Sequence, residues 1–308
     1  MQQSDYHQTV MLNECITGLN IKNNGIYIDA TLGRGGHTIG IINKLGEKGR
    51  VIAFDQDICA IEYAKKNLDD KRLQIIHSSF TNMKKIVLEQ NLIKKIDGVL
   101  MDLGVSSPQL DNIERGFSFN KNGPLDMRMD QTKGITAMDW LDKANEKEIA
   151  DIIYKFGEEK RSRAIAKAIK KYQINKKIET TMQLADIVSS VVKSYSKKHP
   201  ATRTFQAIRI FINQELTKLS LTLEQIIDLI APKGRLCITS FHSMEDRIVK
   251  QFIKKNSQAK RLPKRLPIIE NNNEKILLKN LGRYFPSEEE VKNNKRARSA
   301  VLRVAEIC

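Results

Sequence analysis

Short apolar runs alternate with helical periods over the first hundred residues. "IYIDA" (26–30), "RVIAFD" (50–55), "LQIIH" (73–77) and "DGVLMD" (97–102) each have the length and composition of a buried strand. Between them, near 37–45, 58–68 and 82–91, apolar residues recur at helical spacing, with Asp57 placed to cap the second helix. This alternation predicts βαβ units and a parallel sheet. The rhythm stops at Ser106. From there to about Pro200 apolar residues recur only in helical sets: Ile149, Ile152, Ile153 and Phe156; Ile165, Ala168, Ile169 and Tyr172; Leu184, Ile187, Val188 and Val191. A loop of that length does not fit inside a compact domain, so the stretch reads as an inserted helical domain. A long helix over 203–230, a "PKG" turn, a fifth strand "RLCITS" (235–240) and a helix at 244–255 follow. "KRLPKRLPIIENNNEK" reads as a basic surface loop, and "KILLKNL" and "ARSAVLRVAE" as two last strands. The expected domains are 1–105 together with 201–308, split by the insert at 106–200.

Composition narrows the partners. The chain of 308 residues carries 52 Lys and Arg against 36 Asp and Glu, a net charge of +16, which points to a polyanion such as nucleic acid. Lys- and Asn-rich stretches account for part of that excess, but not for clustered arginines. No apolar run approaches the roughly 18 residues of a membrane span, and "MQQSDYHQTV" is not a signal peptide, so a cytoplasmic protein without a membrane partner is expected. Cys15, Cys59, Cys237 and Cys308 are widely spaced, which suggests neither disulfides nor a metal site.

The candidate chemistry begins at "YIDATLGRGGHTIGII" (27–42), where a strand bends into a helix through Gly33, Gly35 and Gly36. Bends of this kind at strand carboxyl ends bind nucleotides in open α/β sheets. The turn lacks the Gly-Lys-Ser/Thr ending of a P-loop, and Thr38 stands where a dinucleotide fingerprint needs its third glycine. Asp29, Asp55 and Asp102 end three of the strands on this edge. Asp55, 22 residues beyond Gly33, has the offset of an acid that takes ribose hydroxyls. Carboxylates beside the turn would repel a pyrophosphate and attract the ammonium and sulfonium of S-adenosylmethionine. Asp29 has a plainer alternative, that of a turn cap.

"DATLGRGGHT", "MDLGVSSPQLD" (101–111), "RGFSF", "GPLDMRMD", "HPATRTFQAIRIFIN", "SFHSMEDRIVK" and "RARSAVLRVAE", matching in order, closely resemble the bacterial 16S ribosomal RNA cytosine-N4 methyltransferase family. The resemblance implies an α/β fold, a Rossmann-like class I methyltransferase sheet with an inserted helical domain. It implies S-adenosylmethionine as cofactor and, as substrate, the exocyclic N4 amine of a decoding-centre cytidine in 16S rRNA of the small ribosomal subunit. Carried over, the cofactor contacts are Gly35, Gly36, His37, Asp55, Phe80, Asp102 and Gln109. Phe80 also reads as a core residue. Where the family usually has proline before its first apolar residues, this chain has Thr9.

A cytosine amine is a poor nucleophile and needs placement together with a hydrogen-bond acceptor. Ser106, Ser107 and Pro108 stand where amino-methylating enzymes carry a polar, proline-stiffened turn, and Asp102 lies just before them. A helix-capping turn is the alternative for that stretch. His242 is a second candidate proton acceptor. Arg115, Arg128, Arg161, Arg163, Arg203 and Arg209, with Arg296, Arg298 and Arg303, are candidates for gripping RNA phosphates. A nicotinamide oxidoreductase and a non-enzymatic RNA-binding assembly factor are the rival readings. Oligomeric state is left open, with a homodimer as the candidate.

Overall fold

The structure, a computed structural model, describes residues 9–193, 199–258 and 275–308. The chain runs α1 (Leu12–Leu19), β1 (Ile26–Asp29), α2 (Gly36–Ile42), β2 (Arg50–Asp55), α3 (Ile58–Asn67), β3 (Leu73–His77), α4 (Met83–Glu89) and β4 (Ile96–Asp102). Six helices follow: α5 (Ser107–Asp111), α6 (Ala137–Lys143), α7 (Glu146–Gly157), α8 (Ser162–Gln173), α9 (Thr181–Val191) and α10 (Thr202–Asn213). The chain then returns through α11 (Glu215–Leu229), β5 (Ile230–Ser240), α12 (Ser243–Ser257), β6 (Leu278–Tyr284), α13 (Glu288–Asn293) and β7 (Val301–Ile307). The chain divides into two compact units, Met1–Gly104 with Leu216–Cys308, and Val105–Glu215.

In the first unit the strands form one sheet in the order β3-β2-β1-β4-β5-β7-β6. All neighbours are parallel except β7, which runs antiparallel to both β5 and β6. The order reverses between β1 and β4, so their carboxyl ends form the switch point at which open α/β sheets take ligands. Alternation along the strands sorts the core into two faces. Ile28, Ile52, Phe54, Val99, Met101 and Ile238 pack with Val87, Leu223, Ile226 and Val249 of α4, α11 and α12. Tyr27, Val51, Leu100, Cys237, Leu302 and Val304 pack with Cys15, Leu19 and Ile41 of α1 and α2. No helix among the described residues is long and apolar enough to cross a membrane.

The second unit is helical, with a core that includes Leu125, Trp140, Ile149, Ile153, Ile165, Ile169, Leu184, Val188, Phe205 and Ile208. Phe205 and Ile208 lie on α10, so this unit ends at Glu215 and not at the expected residue 200. The single helix expected over 203–230 is two. Gln214 adopts a left-handed conformation (φ 53°) that closes α10, and the buried Asn213 side chain accepts from the Met129 N–H at 2.7 Å and donates to the Met127 carbonyl at 2.8 Å. Periodicity misses such a break because the apolar spacing continues across it. "PKG" also differs from expectation: Lys233 (φ 63°) makes a local irregularity within β5, and the strand extends back to Ile230. The basic loop expected at 260–275 lies, but for its last residue, outside the described residues.

Candidate active site

The loop between β1 and α2 is shaped by two left-handed glycines, Gly33 (φ 51°) and Gly35 (φ 80°). A Cβ on Gly36 would overlap the Thr9 hydroxyl, so Thr9 lies directly against this turn. Asp29 is fully buried beneath it. One of its oxygens accepts from the Thr31 N–H at 3.1 Å and the other from the Thr38 hydroxyl at 2.7 Å. Burial raises its pKa. Asp29 therefore serves as the brace of the turn, its plainer alternative, and reaches a ligand only through its field.

The other two strand-end acids are placed differently. Asp55 accepts from the Gly33 N–H at 2.8 Å and the Asp57 N–H at 2.9 Å, while burial pushes its carboxyl up to about 6. Asp102 has its backbone fixed by an N–H bond to the Thr31 hydroxyl oxygen at 2.7 Å. Its Oδ1 is buried with no hydrogen-bond partner among the described residues. Burial first, then the neighbouring charges of Asp29 and Glu245, hold this carboxyl well above the usual carboxylate range. A buried acceptor without a donor, amid other acids, is the environment that a cationic or N–H-donating ligand completes. The residues thus fit the positively charged cofactor expected from the sequence.

His37, in the first turn of α2, is buried; its Nε2–H donates to the Val10 carbonyl at 3.2 Å, and its Nδ1 lies 3.9 Å from Asp102 Oδ2. Phe80 opens a single 3₁₀ turn (Phe80–Asn82) after β3 and is half-buried against the core, so part of its ring remains available to a ligand. The structure therefore sets Gly35, Gly36, His37, Asp55, Phe80 and Asp102 after successive strands of one sheet edge.

Ser106, Ser107, Pro108 and Gln109 belong to the second unit. Ser106 caps α5, and its N–H donates to Gln109 Oε1 at 3.0 Å in a capping box. The capping alternative thus accounts for Ser106 and for one bond of Gln109.

His242 caps α12. Its Nδ1 accepts the Glu245 N–H at 3.4 Å, and Glu245 in turn accepts the N–H groups of Phe241 (2.9 Å) and His242 (3.3 Å). With Nδ1 used as an acceptor, the neutral ring carries its hydrogen on Nε2. That atom lies 3.2 Å from Glu245 Oε1. Glu245 was legible only as the acid of a capping pattern, "HSME".

Four of the candidate RNA arginines are structural braces. Arg115 is buried and donates to the carbonyls of Arg128 (3.1 Å) and Met129 (2.9 Å). Arg128, Arg209 and Arg303 make two-point pairs with Asp126, Glu215 and Asp246 at 2.7–3.0 Å. Arg161, Arg163, Arg203, Arg296 and Arg298 are exposed. Cys15 and Cys237 are buried, and burial pushes Cys237 up to about 12, which leaves it protonated and inert.

The family model described as the MraW methylase family matches residues 4–308. A protein of Ruthia magnifica subsp. Calyptogena magnifica named ribosomal RNA small subunit methyltransferase H is 66% identical over 301 residues, 98% of each chain. Its namesake in Shewanella oneidensis is 50% identical over 309 residues, 99% of each. A solved structure of an rRNA methylase from Streptococcus thermophilus is 13% identical and covers 96% of this chain and 94% of that one, with a TM-score of 0.41.

Proposed function

The chain belongs to the MraW methylase family, and from that premise we propose that it methylates the N4 amine of a decoding-centre cytidine in 16S rRNA. It is an S-adenosylmethionine-dependent rRNA methyltransferase, and the finer assignment of atom and nucleotide is the reading offered here. The observation that carries it is the Asp102 carboxyl, whose Oδ1 finds no donor among the described residues, at the switch point of the sheet.

When bound, S-adenosylmethionine supplies an electrophilic methyl group on a cationic sulfur. Asp55 would accept from the ribose hydroxyls through the lone pairs that the Gly33 and Asp57 N–H groups leave open. Gly35 and Gly36 would let the backbone approach the methionine portion, with His37 beside it, and Phe80 would lie against the adenine. Gln109 completes the set carried over from the family. Asp102 Oδ1 accepts an N–H bond from the target amine. That bond favours a pyramidal nitrogen, and the carboxyl in its ionised form receives the departing proton. The turn Ser106-Ser107-Pro108 is assigned to holding the amine. The enzyme acts in the cytoplasm, where small subunits are assembled.

The test supplies methyl-labelled cofactor and small subunits lacking the modification, then identifies the labelled nucleoside. N4-methylcytidine is expected; label on a sugar oxygen or on cytosine C5 would overturn the assignment.

A further inference from the structure

We infer that His37 is the second proton acceptor of the reaction: it takes from Asp102 the proton that leaves the target amine and holds it as an imidazolium until the spent cofactor departs. The proposal rests on the reading of Asp102 given above, and gives a chemical part to a residue carried over only as a cofactor contact.

Backbone groups fix the ring. His37 is buried in the first turn of α2. A carbonyl oxygen can only accept, so the Nε2 atom 3.2 Å from the Val10 oxygen carries a hydrogen. The lone pair of the neutral ring is therefore on Nδ1, the atom that faces Asp102 Oδ2 at 3.9 Å. That gap is longer than a hydrogen bond but within ion-pair reach, and such contacts tighten when an active site is loaded. The Val10 carbonyl is held in turn. The following N–H, that of Met11, donates to Glu290 Oε1 at 2.7 Å, and Met11 is fully buried in a left-handed conformation (φ 51°).

The surrounding charges favour a cation at this ring. Asp29 of β1 and Glu245 of α12 act on Asp102, and Glu290 of α13 reaches the Met11 N–H beside Val10. Cys15 of α1 is kept neutral by burial. No other basic side chain among the described residues lies within ion-pair distance of Asp102. Burial opposes a charged ring, and these acids offset that cost.

The charges balance through the cycle. The amine lone pair forms the N–C bond, and the C–S bond breaks with its electrons left on sulfur. The methylated nitrogen gives its proton to the Asp102 carboxylate, which hands it to Nδ1 and is a carboxylate again. One positive charge has passed from sulfonium to imidazolium. Before transfer the sulfonium opposes a charged ring; afterwards that repulsion is gone. Arrival of fresh cofactor expels the proton through Asp102, whose side chain keeps 25% exposure, to solvent.

The experiment uses the full chain with 15N-labelled histidine, without RNA, bound to S-adenosylmethionine or to S-adenosylhomocysteine. Imidazole nitrogen spectra are recorded across pH, and His7→Gln, His77→Gln, His199→Gln and His242→Gln identify the His37 signal by elimination. Near neutral pH the ring should be neutral with S-adenosylmethionine and an imidazolium with S-adenosylhomocysteine, its pKa differing by about one unit or more. A ring neutral in both complexes, or charged in both, would overturn the relay. His37→Gln should slow single-turnover methylation of unmodified small subunits about tenfold or more at saturating cofactor; an unchanged rate would also overturn it. Should that variant fold poorly, the wild-type spectra decide alone. If wild type places its label on an atom other than N4, the functional reading fails instead, and that failure is seen separately from the charge of the ring.

Discussion

Asp55 has a usual carboxyl pKa of 3.8 and a folded value of about 6, and the proposed ribose contact calls for its ionised form. Cofactor affinity measured by calorimetry should therefore weaken as pH falls below about 6, approaching tenfold per unit, and Asp55→Asn should abolish that pH step. Stability of the empty protein moves the other way. A carboxyl whose folded pKa is raised favours folding below pH 3.8 and loses that contribution as pH rises through about 6. A thermal-melt series across pH 4–7 should show wild type losing stability relative to Asp55→Asn as pH rises; no relative change would mean the carboxyl is ordinary. Asp29 and Asp102 teach a related lesson. Both are strand-end aspartates beside the glycine turn, but Thr31 and Thr38 satisfy the first while Oδ1 of the second has no donor among the described residues.

At the scale of elements, the β1–α2 turn depends on a side chain far from it in kind: Thr9, the residue that departs from the family's usual proline. Because a Cβ on Gly36 would overlap the Thr9 hydroxyl, Gly36→Ala should lower stability by about 1–3 kcal/mol, the usual range for overpacking. Thr9→Gly should recover most of that loss in the double variant. Additive losses in denaturant melts would show that the two residues do not press on each other. The same scale explains the misread helix over 203–230. Its halves share one apolar period, and only the anchoring of Asn213 to Met127 and Met129 locates the break.

For the molecule as a whole, the net charge of +16 overstates the number of cations free to meet RNA. If the five exposed arginines each neutralise a phosphate, the slope of log affinity against log salt should be about −3 or steeper, at about 0.7 per contact for single strands. Arg298→Ala should reduce the slope by about that increment. Arg128→Ala should leave it unchanged and lower the melting temperature, since it removes the two-point partner of the buried Asp126. A flat salt response would remove the arginines from RNA binding. The strands of the first hundred residues, the helical character of 106–200 and the acids at the strand ends were legible in the chain itself, because period, length and strand ending are local properties. Which arginine braces and which is exposed was not. Arg303 meets Asp246 across 57 positions, and the Asp102 N–H finds Thr31 across 71. Nor could local pattern bring the Glu290 carboxylate to the Met11 N–H across 279 positions. Local sequence chose the elements and much of the chemistry at their ends; long-range pairing decided which side chains were already satisfied, and so which remained to meet a ligand.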